Sequence, residues 1–165
     1  MIFSVSDRRH MEAAEGWLGL GCPADAGAEL DKVTPEWRGH PAVLTLRWQV
    51  DAAAGQWEAA LQTAKAALAV APRDPESWIH VSYALHELKR TTEARDHLRG
   101  AVELFPAIST IPYNLACYEC QLGQMSAAIA WLEKAFSLTE DREPMKQAAL
   151  QDPDLQPLWA QIKGR

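Results

Sequence analysis

Alanine recurs at a fixed interval along this chain of 165 residues, and no other feature of the sequence restricts its fold as strongly. Ala26, Ala60, Ala94 and Ala128 each lie 34 residues from the next. Several registers that agree on one period of this length indicate stacked copies of one supersecondary unit. The other series at this interval are Leu30, Ala64, Leu98 and Leu132; Val33, Ala67, Ala101 and Ala135; and Gly21, Gly55 and Gly123, with Lys89 as the substituted member.

Each period holds two runs of apolar residues at helical spacing, separated by a short turn. Prolines fall only at the ends of these runs, where a missing N–H costs little. The pattern therefore predicts an all-α chain of antiparallel helix pairs. The first unit is degraded, and it predicts a helix over residues 8–20 and a shortened second helix over residues 25–33. The complete units predict helix pairs over residues 43–53 and 57–70, 76–88 and 92–104, and 112–122 and 126–138.

The same period sets the predicted domain organisation. It stops after residue 138, where a short helix over residues 143–150 and a further helical turn after Asp152 are expected. Because the end of a helical array must cover its last apolar face, we expect these residues to form a cap. We predict one domain over residues 1–165, with repeats near 7–40, 41–74, 75–108 and 109–142 and a C-terminal cap over 143–165.

Composition limits the kinds of partner and the compartment. A formal charge of −6 and a pI near 5.3 argue against nucleic acid, because a phosphate backbone requires a concentrated basic face. No apolar run is long enough to span a bilayer, and the apolar stretch over residues 1–6 is too short for a secretory signal. Cys22, Cys117 and Cys120 are too few, and odd in number, for a disulfide framework. We expect a cytoplasmic protein with reduced thiols and neither a nucleic-acid nor a membrane partner.

The helix-facing residues resemble the motif of the tetratricopeptide repeat. That motif places Trp, Leu, a small residue and Tyr on its first helix, then Ala, Phe and Ala on its second helix, and Pro in the closing turn. The fourth unit departs from it with Pro112 in place of the tryptophan, and the second unit carries Arg47, Trp48 and Asp51 on its first helix. The resemblance covers residues 7 to 140 and implies a right-handed superhelical solenoid that binds a protein or peptide. The best copy is the third unit, with Trp78, Val81, Ser82, Leu85, Ala94, Leu98, Ala101 and Pro106.

In that family the first helices of successive repeats line a concave groove, and the resemblance therefore implies a partner-binding surface. Tyrosines there would offer large contact area with a hydrogen-bonding tip, beside polar side chains and few cations. The scarcity of cations argues against the acidic chaperone termini that some members bind through lysines and an arginine. The candidate residues are Gln49, Glu76, Ile79, Tyr83, His86, Glu87, Tyr113, Asn114, Cys117 and Gln121.

Two cysteines raise the question of a metal. Cys117 and Cys120 share a helix face, and the repeat register brings His86 beside Cys120. These three residues are candidate zinc ligands, but a strong zinc site supplies a second closely spaced pair, which the sequence lacks. Thiols that pack or line the groove are the better interpretation. We predict no metal and no other cofactor.

Motifs of the common enzyme classes are missing from the sequence, including a phosphate-binding loop, a Gly-x-Ser-x-Gly elbow and paired zinc-protease histidines. We therefore predict a non-enzymatic scaffold or adaptor that binds a protein or peptide segment in the groove. Two alternatives stay open. The chain could self-associate as a structural module without a separate client, through Trp37 or through Trp159 and the residues around it. It could also be a metal- or thiol-dependent sensor that uses Cys117, Cys120 and His86.

Overall fold

A computed structural model describes residues 3–164 of the chain, and within that range the structure is helical without a strand. The predicted all-α class is confirmed. Short 3₁₀-helices cover Pro35–Trp37 and Pro153–Leu158. The α-helices are α1 (Val5–Gly19), α2 (Pro23–Leu30), α3 (Pro41–Ala53), α4 (Trp57–Val70), α5 (Pro75–Glu87), α6 (Thr91–Arg99), α7 (Thr110–Gln121), α8 (Met125–Ser137), α9 (Glu143–Ala149) and α10 (Trp159–Lys163).

The chain divides into two compact units between Ala84 and Leu85, so that α5 spans the division. In the first unit α1 packs on α2 and α3, and α3 packs on both α2 and α4. In the second unit α6 and α8 pack on α7, and the 3₁₀-helix Pro153–Leu158 also packs on α7. The prediction of one domain with four repeats and a cap stays a prediction.

The turn inside each helix pair has the same backbone geometry. Gly21, Gly55, Lys89 and Gly123 adopt the left-handed φ values of 72°, 69°, 62° and 76°. The following residue then donates its N–H to a carbonyl five residues earlier, at 2.8 to 2.9 Å, which is the Schellman motif that ends helices. Glycine suits this position because it carries no Cβ that would oppose a positive φ. The 34-residue glycine series therefore marks the turns of the helix pairs.

The other periodic positions form the core. Ala26, Ala60, Ala94 and Ala128 are fully buried. Small side chains there allow two packed helices to approach each other closely. The leucine series and the second alanine series are buried as well, at Leu30, Ala64, Leu98, Leu132, Val33, Ala67, Ala101 and Ala135.

Most helices begin or end within a few residues of their predicted bounds, but two helices end well before the predicted residue. The second helix of the third unit was expected to reach residue 104 but ends at Arg99, because Gly100 follows and glycine is a poor helix former. Ala101 is fully buried even though it lies in the turns beyond that helix. The second helix of the first unit begins at Pro23, at its first helical position, and ends at Leu30 instead of residue 33.

Helix α3, whose sequence departs from the repeat motif, packs through polar and aromatic contacts. Arg47 pairs with Asp31, the residue that follows α2, at 2.6 Å. The buried Asp51 accepts a hydrogen bond from the Thr63 hydroxyl at 3.0 Å. Trp48 stacks on the ring of His80. These residues therefore replace the family's apolar pattern with specific contacts inside the first unit.

Candidate functional site

The C-terminal residues lie on part of the predicted partner-binding surface. We call residues 150–163 the tail, and we call His86, Tyr113, Cys117 and Gln121 the tail-binding surface. All belong to the second unit. The surface residues come from the end of α5 and from α7, where each side chain bonds to the tail. Four of the ten residues predicted to meet a partner therefore meet this segment of their own chain.

The Asp152 carboxylate makes contacts in two directions. One oxygen, Oδ1, accepts the backbone N–H of Asp154 at 3.0 Å and so caps the 3₁₀-helix Pro153–Leu158. The other oxygen, Oδ2, accepts the Tyr113 hydroxyl at 2.9 Å and the Cys117 thiol at 3.6 Å. One aspartate thus both starts the tail's helix and holds it to α7.

Asp154 supplies the second pair of polar contacts. Its carboxylate Oδ2 lies 3.0 Å from His86 Nε2, and its backbone carbonyl accepts the Gln121 side-chain amide at 2.9 Å. The other imidazole nitrogen, Nδ1, lies 3.0 Å from the Thr91 hydroxyl. An imidazole that donates from Nε2 and accepts at Nδ1 satisfies both contacts. His86 is therefore oriented by Thr91 towards the tail.

Apolar residues of the tail complete its attachment. Leu155 and Leu158 are fully buried and Ile162 is nearly so. Removing a leucine side chain from water contributes about 1.5–3 kcal/mol. Trp159 is half-buried, and its indole N–H donates to the Ala149 carbonyl at 3.0 Å. The tail is thus held by two leucines as well as by its aspartates.

Two donors of the tail-binding surface have altered acidity. Burial raises the pKa of the Cys117 thiol well above its ordinary value, and the carboxylates of Asp152 and Asp154 raise it further. Burial likewise raises the pKa of the Tyr113 hydroxyl, with Cys117 and Asp152 adding to the shift. Both groups keep their protons at neutral pH, so both present a hydrogen to an acceptor.

A cleft remains open beside the tail-binding surface. Its volume is about 390 Å³, and Tyr113 lines both the cleft and the contact with Asp152. The other lining residues come from the start of α7, from the linker after α8 and from α9. They are Thr110, Thr139, Asp141, Pro144, Met145 and Ala148.

The remaining predicted residues have mixed exposure. In the first unit Gln49 and Glu76 are exposed, Tyr83 is 39% exposed, and Ile79 is buried. Glu87 and Asn114, in the second unit, are half-buried. Ile79 is thus a core residue in this structure, whereas the other three in the first unit are accessible.

Aromatic rings surround Tyr83 in the first unit. Trp48 stacks on His80 with ring centroids 3.6 Å apart and 9° between the planes. Tyr83 lies with its ring centroid 6.3 Å from Trp48 and 5.7 Å from Trp57. Burial lowers the pKa of His80 to about 4, so this imidazole is neutral at pH 7. We call Trp48, Trp57, His80 and Tyr83 the aromatic cluster.

The candidate zinc ligands bond to different neighbours. Cys117 contacts Asp152, whereas the Cys120 sulfur lies 3.9 Å from the Met125 sulfur. Burial raises the pKa of the Cys120 thiol as well, which opposes the thiolate form that binds zinc. Among residues 3–164, no group of three His, Cys, Asp or Glu side chains is arranged to hold a metal ion.

The tryptophans considered for self-association are partly covered. Trp37 is half-buried against Phe3 and His40, with ring centroids 4.4 Å and 5.6 Å away. Trp159 is also half-buried. Leu20 and Trp17, at the end of α1, are more exposed than either. Over the part of the chain that the structure covers, no helix combines the length and apolar character needed to cross a membrane.

Sequence reasoning missed the tail's aspartates and the Trp48–His80 stack. The signal for the aspartates is visible in the sequence, since Asp152 and Asp154 flank a proline just before Leu155 and Leu158. Trp48 stood out as a departure from the repeat motif. Its stacking partner, His80, lies on α5 and carried no signal of its own.

Comparison with known proteins agrees with the repeat pattern. A family model described as tetratricopeptide repeat matches residues 75–108 and 113–142. The first range coincides with the third predicted repeat, and the second range lies within the fourth. No match was found among curated protein sequences.

Several solved structures share the fold. A thermophilic tetratricopeptide protein of Thermus thermophilus, TTC0263, superposes with a TM-score of 0.72 at 17% identity, covering 96% of this chain and 100% of that one. A crystal structure of MamA gives 0.71 at 13% identity, with 86% and 81% covered. A MamA variant from RS-1 gives 0.71 at 19% identity, with 80% and 74% covered. The expected fold is therefore confirmed, and the family model recognises two tetratricopeptide repeats within residues 75–142.

Proposed function

We propose that this chain is a non-enzymatic scaffold that binds a segment of another protein along the first helices of its repeats. The tetratricopeptide fold is one of protein–protein interaction, which supports a binding role in general terms. The cytoplasmic location expected from the sequence stays a prediction. The site on this chain and the kind of segment it binds form the new part of the proposal.

The observation that carries this proposal is the position of the tail. His86, Tyr113, Cys117 and Gln121 were candidates for partner contact on the repeat pattern alone, and each bonds to the tail. The same segment buries two leucines. A surface that holds an attached segment in this way has the chemistry to hold an equivalent segment of another protein.

The first unit adds an accessible surface to the proposal. Tyr83 is 39% exposed and rests between Trp48 and Trp57, which restrict its motion. A tyrosine already ordered by its neighbours loses little entropy when a partner covers it. Gln49 and Glu76 are exposed on α3 and α5 and can fix the orientation of a partner by hydrogen bonds. A short interface of this kind favours micromolar affinity.

Affinity capture from the native cell extract tests the proposal. We expect the wild-type chain to retain a defined partner, and Tyr83→Ala combined with Tyr113→Ala to lose it, because the two tyrosines supply much of the apolar contact area. The matched control is Val70→Ala combined with Leu104→Ala. Those side chains are 54% and 57% exposed and lie outside the proposed surface, so the control should retain the partner.

The tyrosine variant must keep its fold for this comparison to count, and the circular dichroism melting curve checks that. Equal retention of the partner by the folded tyrosine variant and by wild type would place the binding site elsewhere.

A further inference from the structure

The contacts of the tail indicate the chemistry of the partner. We propose that the tail-binding surface selects an aspartate–proline–aspartate segment followed by leucine, carried by another protein, and that the chain's own tail fills the surface until such a segment displaces it. This inference rests on the proposed function, because it names the partner chemistry for part of the same site.

Hydrogen-bond polarity is the first argument. Tyr113 donates an O–H, Cys117 an S–H and Gln121 an N–H towards the tail, and His86 Nε2 faces the acceptor-only carboxylate of Asp154 at 3.0 Å, where it can act as a donor. A carboxylate is an acceptor only and matches such a set. The raised pKa values of Tyr113 and Cys117 keep both donors protonated. A lysine or arginine at the same position would place its own N–H donors against these donors, and no hydrogen bond would form.

Spacing is the second argument. Asp152 Oδ1 caps the 3₁₀-helix while Oδ2 bonds to α7, so the first acidic residue must have a short side chain that reaches its own backbone. Pro153 opens that helix with a φ already suited to it. The helical turn then brings Asp154 to His86. These contacts explain why aspartates flank the proline.

The apolar residues behind the motif set the third requirement. Leu155 and Leu158 are both fully buried, so the segment needs leucine directly after the second aspartate and again three residues later. Burial of two leucines supplies most of the affinity, and the polar contacts supply the selectivity.

The segment that replaces the attached tail could come from another protein or from a second copy of this chain, and two features favour another protein. The cleft of about 390 Å³ beside Tyr113 offers a place where an incoming segment can first bind. The attached tail competes at an effective concentration on the order of millimolar. A tail from a second copy offers the same contacts without that advantage, whereas a foreign segment with added contacts into the cleft can exceed it. The occupant is therefore a different protein.

The test uses the full chain and a fluorescent peptide of residues 150–163, with binding measured by anisotropy. Asp152→Ala combined with Asp154→Ala weakens the attachment of the tail and leaves the tail-binding surface unchanged. We call this protein the opened variant. We expect this variant to bind the peptide at least about tenfold more tightly than wild type does. The matched control, Glu140→Ala with Glu143→Ala, removes two acidic side chains outside the tail and should behave as wild type.

Two further changes test selectivity. A peptide carrying Asp152→Asn and Asp154→Asn should bind the opened variant about tenfold more weakly, because the amide is a poorer acceptor than the carboxylate. Adding Tyr113→Phe to the opened variant should weaken binding of the original peptide about fivefold, the effect of one hydrogen bond. Equal binding of both peptides would overturn the proposed selectivity.

Displacement can also be measured without altering the tail. Hydrogen exchange of the wild-type tail should accelerate when the peptide is added to saturation, because a displaced tail is exposed to water. The peptide carries an isotope label so that its mass distinguishes it from the tail, which has the same sequence. An unchanged exchange rate at saturation would overturn displacement. Displacement would also be overturned if the opened variant formed a dimer and did not bind the peptide.

If no peptide binds while extract capture still depends on Tyr83, this inference is wrong and the proposed function stands. If extract capture fails as well, both are wrong.

Discussion

Lys89 occupies the turn position at which three other helix pairs have Gly21, Gly55 and Gly123. Its φ of 62° places a side chain in the left-handed region, which costs about 1–2 kcal/mol for a residue with a Cβ. Glycine avoids that strain, but it lowers the free energy of unfolding by about 0.4–1 kcal/mol because it increases the conformational entropy of the unfolded chain. We therefore expect Lys89→Gly to raise the free energy of unfolding by about 0.5–1 kcal/mol, measured by urea denaturation.

Lys89→Ala serves as the control, because it removes the charge but keeps the Cβ. It should leave the midpoint of denaturation close to wild type. A Lys89→Gly protein less stable than Lys89→Ala would show that the left-handed turn carries no strain.

His80 should make the first unit sensitive to acid. Its pKa is lowered to about 4 by burial, from 6.5, while Asp74 opposes the shift. Glu76 also faces it, at 3.7 Å, and Trp48 covers its ring. Between pH 6.5 and 4 the unfolded chain binds a proton at His80 and the folded chain does not. The contribution of His80 therefore leaves the free energy of unfolding unchanged above pH 6.5 and lowers it as the pH falls towards 4. The loss amounts to at most about 3 kcal/mol.

His80→Phe separates this effect from other titrations. Phenylalanine keeps an aromatic ring on Trp48 and cannot take up a proton. Urea denaturation at several pH values should show a shallower decline between pH 6.5 and 4 for the variant than for wild type. If the free energy of unfolding declines equally with pH in the two proteins, His80 is not the cause of the acid sensitivity.

At the scale of helices, the buried alanine series predicts a sharp contrast between adjacent positions on α4. Ala60 is fully buried, whereas Ala59 is exposed. Leucine at the buried position must displace a packed helix, so we expect Ala60→Leu to cost about 1–3 kcal/mol. Ala59→Leu makes the same chemical change on the solvent side and should alter stability by less than about 0.5 kcal/mol. Melting curves of the two variants that coincide would contradict the packing.

The sequence predicts the helices well because their period is encoded several times over. Alanine positions report close packing, and the glycine series reports turns, so both signals appear in repeat after repeat. The end of α6 escaped this reasoning, since the third repeat continues its buried pattern to Ala101 although Gly100 stops the helix. Periodicity reports which residues face the core, and it is insensitive to where a helix gives way to a turn.

The candidate surface was harder to predict, for a different reason. Counting cations suggested that carboxylates would find little support there, yet the Asp152 carboxylate is held by the hydroxyl of Tyr113 and the thiol of Cys117, which are neutral donors. Whether a hydroxyl donates or accepts depends on its neighbours, and a sequence does not state them. The tail's contacts also join residues far apart in the chain, which no repeat register relates.

For the molecule as a whole, charge predicts which partners it rejects. The net charge is −6, and several cations are already paired, with Arg47 on Asp31 at 2.6 Å and Arg99 on Glu119 at 2.5 Å. Such pairs leave few cations to displace the counterions of a nucleic acid. We expect no mobility shift of DNA or RNA at about 150 mM salt. A shift that disappears as salt increases would reveal a basic face that this reasoning overlooked.

The position of α10 has a practical consequence for anyone who labels or immobilises this protein. That helix continues directly from the 3₁₀-helix that carries Asp154 and Leu155. A fluorophore, bead or fusion domain joined behind it adds bulk and drag to the very segment that covers His86 and Tyr113. Attachment ahead of α1 acts on the other unit instead. Comparing the two attachment points in one assay would therefore measure how firmly the covering segment is held.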